Sequence, residues 1–143
     1  MTRRRHKVGF GLVAGAVICA ALPSAAAFLA VNRLNVVPIN QTTFEVLETR
    51  GAGAADMWCA AADYARRAGL DAPRKRMYIL EPRGDARTVA GYKGVVFTTS
   101  PDEELRNTPT SYSVSVKRRG ENLAISHAYD FCRQFFDDFR DRF

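Results

Sequence analysis

Three side chains that follow residue 27 have the chemistry of a nucleophile, a base or a metal ligand: Cys59, His127 and Cys132. A Cys59–His127 pair could act as an activated nucleophile, since an imidazole that takes the thiol proton makes the sulfur reactive. The alternative is a disulfide between the two cysteines, which would close a loop of about 70 residues. One histidine and one cysteine pair do not supply the usual zinc ligands, so no metal or other cofactor is expected.

Two short basic runs are the other groups that could bind a ligand. The first basic run is Arg74, Lys75 and Arg76, and the second is Lys117, Arg118 and Arg119. If the fold brings them together, they could bind an anionic surface such as lipid headgroups. If they stay apart, they are ordinary solvated loop ends. No aromatic residues are interleaved with them, so the pattern does not indicate nucleic acid.

The first 27 residues have the layout of a secretory signal peptide. Four cations lie within residues 3–7, Val8–Leu22 is uncharged and mostly apolar, and Ala25 and Ala27 are small residues before the expected cut. A peptidase needs such small side chains at the −3 and −1 positions. We therefore predict export, cleavage after Ala27 and a mature chain that is periplasmic or secreted.

An uncleaved membrane anchor is the alternative for this segment. Residues 8–31 contain no charge, and a span of about 20 apolar residues is enough to cross a bilayer. Gly9, Gly11, Gly15 and Pro23 dilute its hydrophobicity, which favours cleavage over retention. Retention would leave the protein anchored in the inner membrane through this segment alone.

Charge and cysteine content are consistent with export. Residues 1–27 hold four cations and no acid, so their removal lowers the formal charge from +6 to +2. A chain of such balanced charge lacks the concentrated basic surface of a nucleic-acid-binding domain. Two cysteines remain, an even number in an oxidising compartment, which predicts the Cys59–Cys132 disulfide rather than two buried thiols.

Hydrophobic periodicity predicts a single α+β domain over residues 44–143, after a flexible lead-in over residues 28–43. Asp56 is the expected N-cap of the first helix, and Gly69 and Pro73 end it. A turn is expected over residues 82–85. The predicted elements are strand 43–49, helix 56–68, strands 76–81, 94–99 and 111–117, and helix 126–141.

The order β-α-β-β-β-α predicts an antiparallel sheet with two helices on one face. Strand 111–117 is expected because Tyr112, Val114 and Val116 alternate with serines. In the last helix, Cys132 lies on the apolar side, and Cys59 lies beside Trp58 in the first. A disulfide between these helices is therefore plausible on geometry.

The chain resembles a group of small, uncharacterised exported proteins of alphaproteobacteria. The resemblance rests on Phe44–Val46, on Asp56–Ala65 with its Trp-Cys and Asp-Tyr-Ala segments, and on Glu121–Leu123 leading to Cys132. It implies a periplasmic location and supports pairing of the two cysteines. It implies no activity.

These features suggest a small exported module that binds or scaffolds an envelope protein or an anionic surface. A small periplasmic hydrolase with a site made from polar loop residues is the alternative. A pocket with convergent polar groups and a perturbed carboxylate or His127 would favour the enzyme. A basic face without such a pocket would favour binding.

Overall fold

The computed structural model describes residues 26–49, 51–110 and 112–140, with side chains as far as residue 137. Apart from its last two residues, the predicted signal peptide therefore lies outside the described residues. Along the described chain the elements are β1 (Phe28–Leu29), β2 (Asn35–Pro38), β3 (Thr43–Leu47), α1 (Ala54–Arg67), β4 (Arg76–Asp85), β5 (Lys93–Thr98), α2 (Glu103–Arg106), β6 (Asn122–Ala124), α3 (Ile125–Asp130) and α4 (Arg133–Arg140). No helix in this part of the chain is both long and apolar enough to cross a membrane.

The sheet has six antiparallel strands in the order β1-β2-β3-β5-β4-β6. The α+β prediction is confirmed, although the strand count is larger and the strand order differs. Phe44 on β3 and Phe97 on β5 are paired and face the helices, where Trp58 of α1 meets Phe97 edge-on at 5.0 Å between ring centroids. Ala128 of α3 belongs to the same buried cluster.

Residues 28–43 are part of the domain, so the predicted flexible lead-in is wrong. They form β1 and β2 and bury Ala30, Leu34 and Val36. The asparagines that interrupt the hydrophobic pattern stabilise the turns: Asn40 Oδ1, for example, accepts from the backbone N–H of Thr43 at 2.8 Å. Such turns let a chain with little periodicity add strands to a sheet.

The second face of the central strands is also buried. Glu45 of β3 is only 1% exposed. Its carboxylate accepts from the backbone N–H groups of Arg87 and Thr88 at 2.7 and 2.8 Å, which holds the loop between β4 and β5 over the sheet. A Cβ on Gly94 would lie 2.8 Å from Glu45 Oε1, so glycine provides the space for this carboxylate.

Strand β4 continues through the residues for which a turn was predicted. Its pairing with β5 shifts register between Ile79 and Glu81 and again between Glu81 and Gly84. Pro82 lies in this irregular part, where a residue without an N–H costs no regular ladder bond. The irregular pairing thus lets β4 include Pro82 and Gly84, two residues that otherwise favour a turn.

The strand predicted over residues 111–117 is not formed by the described residues 112–117. Strand β6 occupies the edge of β4 only at Arg76, Met77 and Tyr78. Farther along that edge the N–H of Arg83 donates to the carbonyl of Val116 at 2.8 Å, but no regular ladder forms. Ser113 Oγ accepts from the N–H of Ser115 at 3.1 Å, a local bond that competes with a strand ladder. Val116 is still buried, and Trp58 Nε1 donates to the carbonyl of Val114 at 2.9 Å.

The helices differ from prediction mainly at their ends. Helix α1 begins two residues early, with Gly53 as N-cap, and Asp56 accepts from the N–H of Gly53 at 2.8 Å. The last helix is interrupted at Phe131 and Cys132, which separate α3 from α4. Cys132 forms the predicted disulfide with Cys59 of α1, with 5.1 Å between the Cα atoms.

Candidate functional site: a basic groove and an adjoining ring cavity

A groove of about 410 Å³ lies where the start of β4 faces the loop after β5. Its lining contributes four cations and three hydroxyl groups and, among these described residues, no carboxylate. Guanidinium, ammonium and hydroxyl groups donate hydrogen bonds, so the groove is suited to an anion. The residues that line this basic groove are Arg74, Lys75, Arg76, Tyr78, Thr99, Ser100, Pro101 and Arg106.

Arg76 is held in place by the neighbouring strand. Asn122 of β6 accepts from Nε at 2.7 Å through its side chain and from Nη2 at 3.0 Å through its backbone carbonyl. The amide Nδ2 of Asn122 in turn donates to the carbonyl of Gly120 at 2.9 Å. The guanidinium plane is therefore fixed before any ligand arrives, which lowers the entropic cost of binding.

Arg74 enters the groove from an unusual backbone conformation. Its φ of 63° lies in the left-handed region, which residues with a Cβ adopt rarely. The turn that contains it is closed by the N–H of Lys75, which donates to the carbonyl of Ala72 at 2.9 Å. The carbonyl of Lys75 accepts from the N–H of Ile125 at 3.0 Å, so this turn is attached to α3.

Arg106 completes the groove and was missed by the sequence analysis. It lies in the last turn of α2, which is stabilised by buried Leu105 and by Asp102, whose Oδ1 accepts from the N–H of Leu105 at 2.8 Å. Arg106 Nη1 donates to the carbonyl of Pro101 at 2.9 Å. The signal for this helix was Asp102 as an N-cap followed by the charged residues 103–106. No helix or strand was predicted between residues 99 and 111.

The second basic run does not line the groove. Arg118 is paired with Glu121, and Arg119 donates to the carbonyl of Leu80 at 2.8 Å and lies 3.5 Å from Asp102. Carboxylates therefore compensate two of its three charges. The structure combines the first basic run with Arg106, rather than with the second run.

A smaller cavity of about 290 Å³, the ring cavity, shares Arg76 with the groove. The exposed rings of Tyr112 and His127 meet edge-on with 6.2 Å between centroids, and His127 contacts Phe131 in the same way at 5.5 Å. The residues that line it are Arg76, Thr110, Tyr112, Leu123, Ala124 and His127.

The arrangement around His127 lacks the partners of a nucleophilic site. Cys59 is bonded to Cys132, so the thiol–imidazole pair considered from the sequence is wrong. The described residues that line the ring cavity include no carboxylate that would orient the imidazole. Among the residues that the structure describes, no group of three or more His, Cys, Asp and Glu is arranged to hold a metal ion.

Two further cavities contain carboxylates. One of about 510 Å³ near Asn32 has Asp56 as the one charged residue of its described lining, and that carboxylate already caps α1. Another of about 340 Å³ shares Arg74 and Lys75 with the groove and is also lined by Asp71 and Asp130. The pKa of Asp85 is lowered by its hydrogen bond and charge interaction with Lys93, and burial raises the pKa of Tyr64. Neither group lines the groove or the ring cavity.

No protein-family model, curated protein or solved structure matches this chain.

Proposed function

We propose that this chain is an exported binding module of the cell envelope that holds an anionic group in its basic groove. The observation that carries the proposal is the set of Arg74, Lys75, Arg76 and Arg106 around one groove whose described lining has no carboxylate. Four cations around one groove repel one another, and a bound anion lowers that repulsion.

Export is supported by the N-terminal pattern and by the disulfide. The described domain begins with β1 at Phe28, the first residue after the predicted cut. Residues 28–31 of the alternative anchor belong to the domain, since Ala30 is buried and the N–H of Val31 donates to Asp63 at 2.9 Å. A retained anchor would then comprise residues 8–27, still about the length that spans a bilayer.

Calorimetric titration with inorganic phosphate tests the proposal, using protein recovered from the periplasmic fraction after expression of the full chain. The groove variant neutralises Arg74, Lys75 and Arg106 with glutamine. The control variant neutralises Lys117, Arg118 and Arg119 in the same way. Both lose three positive charges, so a general effect of net charge is equal in the two.

The groove variant should bind phosphate at least about tenfold more weakly than the wild type, and the control variant within about threefold. Vesicles that contain phosphatidylglycerol, compared with neutral vesicles, distinguish a lipid headgroup from a free anion as the source of the phosphate. A wild-type protein that binds neither phosphate nor anionic vesicles at low salt would refute the proposal, as would equal losses in the two variants.

A further inference from the structure

Arg76 forms part of both the basic groove and the ring cavity. Two of its nitrogens are committed to Asn122, so its guanidinium does not swing from one cavity to the other. A single ligand that occupies both would place its anionic group on the groove side of Arg76 and its other part on the ring side.

The ring cavity combines aromatic faces with polar groups. Tyr112 is 90% exposed, which is unusual for a large ring that only serves packing. Thr110, Tyr112 and His127 add a hydroxyl, a phenol and imidazole nitrogens, while Leu123 and Ala124 supply apolar surface. The volume of about 290 Å³ is at the small end of ligand pockets, which suits one ring rather than a chain of rings.

We propose that the two cavities together bind a phosphorylated sugar, with the phosphate in the basic groove and the sugar ring against Tyr112 and His127. This inference rests on the proposed function. The C–H groups of a sugar ring pack on the electron-rich faces of aromatic rings. Its hydroxyls match the polar groups of Thr110 and His127. An unsubstituted aryl ring would offer those exposed polar groups no hydrogen bond, so it would gain nothing from them beyond what water already provides.

Affinities for glucose 1-phosphate, phenyl phosphate and inorganic phosphate, measured on the exported protein, test this assignment. Glucose 1-phosphate should bind roughly threefold to tenfold more tightly than inorganic phosphate. Tyr112→Ala should remove that advantage and leave the affinity for inorganic phosphate unchanged. Tyr92→Ala is the matched control, because Tyr92 is also an exposed tyrosine, at 51%, and lines neither cavity.

Each contrary outcome has a separate meaning. If inorganic phosphate binds and glucose 1-phosphate binds no more tightly, the sugar assignment is overturned and the groove stands. Phenyl phosphate that equals glucose 1-phosphate would likewise overturn it, because the polar groups of the ring cavity would then be unused. If none of the three compounds binds, this inference is overturned, and the vesicle measurement alone then decides whether the proposed function stands.

Discussion

Arg74 and Arg33 hold the same left-handed backbone conformation, with φ of 63° and 65°. This conformation costs a residue with a Cβ roughly 1–2 kcal/mol, and glycine avoids that cost. Arg33 lies in the turn between β1 and β2, whereas Arg74 lines the basic groove. The two residues therefore separate the effect of the backbone from that of the side chain.

Replacing either arginine with glycine should change the free energy of unfolding by less than about 1 kcal/mol. Relief of the left-handed strain is offset by the greater freedom of glycine in the unfolded chain. Arg74→Gly should nevertheless weaken phosphate binding by roughly threefold or more, and Arg33→Gly should not. Urea unfolding and calorimetry measure the two quantities. Equal phosphate affinities in the two variants would argue against a binding role for Arg74.

At the scale of elements, the N-terminal strands hold an aromatic cluster in place. The ring of Phe28 meets the ring of Tyr64 of α1 edge-on, with 5.5 Å between centroids. The ring of Phe44 also contacts Tyr64, with 4.6 Å between centroids. Burial in this cluster raises the pKa of Tyr64. A tyrosine with a raised pKa in the folded state contributes stability that is present below pH about 10 and is lost as the pH rises further.

Phe28→Ala should admit water to Tyr64 and return the pKa of its phenol toward the usual value. It should also lower the free energy of unfolding by about 1–3 kcal/mol, less than for a fully buried phenylalanine. The loss of stability above pH about 10 should then become shallower. NMR titration of the tyrosine ring carbons and unfolding at several pH values provide the measurements. An unchanged pKa with unchanged stability would mean that β1 does not pack on α1 in solution.

The disulfide joins α1 to the break between α3 and α4, and both of its residues are fully buried. Cys59→Ala and Cys132→Ala should each lower the free energy of unfolding by about 2–5 kcal/mol. The double variant should lose little more than either single one, because all three delete the same bond. Chemical unfolding without reductant gives the values. Additive losses, or two thiols that alkylate in the native protein, would contradict the bridge.

Capping residues and hydrophobic periodicity correctly predicted the elements that depend mainly on their own residues. Helix α1 has an apolar stripe, a capping aspartate and Gly69, so it was predicted to within two residues at either end. The strand proposed over residues 111–117 failed although its alternation was real, because Ser113 and Ser115 accept from backbone N–H groups two residues farther on, which competes with strand pairing. Whether a segment finds a partner strand is a long-range property, and it does not appear in a window of seven residues.

At the scale of the whole molecule, the site combines segments that are distant in the sequence. The first basic run was predicted as a possible anion-binding group, but its partners Thr99, Ser100 and Arg106 follow the next strand. The strand order places β4 beside β5 and so brings these segments together. The second basic run had the same composition, yet Glu121 pairs with its Arg118 and Asp102 with its Arg119. The sequence therefore predicted two candidate anion-binding runs, and only the fold shows which of them lines a groove.

A heteronuclear NMR titration of the exported protein with inorganic phosphate at low salt tests the basic groove most directly. The account predicts saturable shifts of backbone amides that cluster at residues 74–78, 99–100 and 106. These shifts should weaken as salt rises, because exposed charges are screened over about 8 Å at physiological ionic strength. Shifts that cluster at residues 117–119 instead, or the absence of any saturable shift, would contradict it.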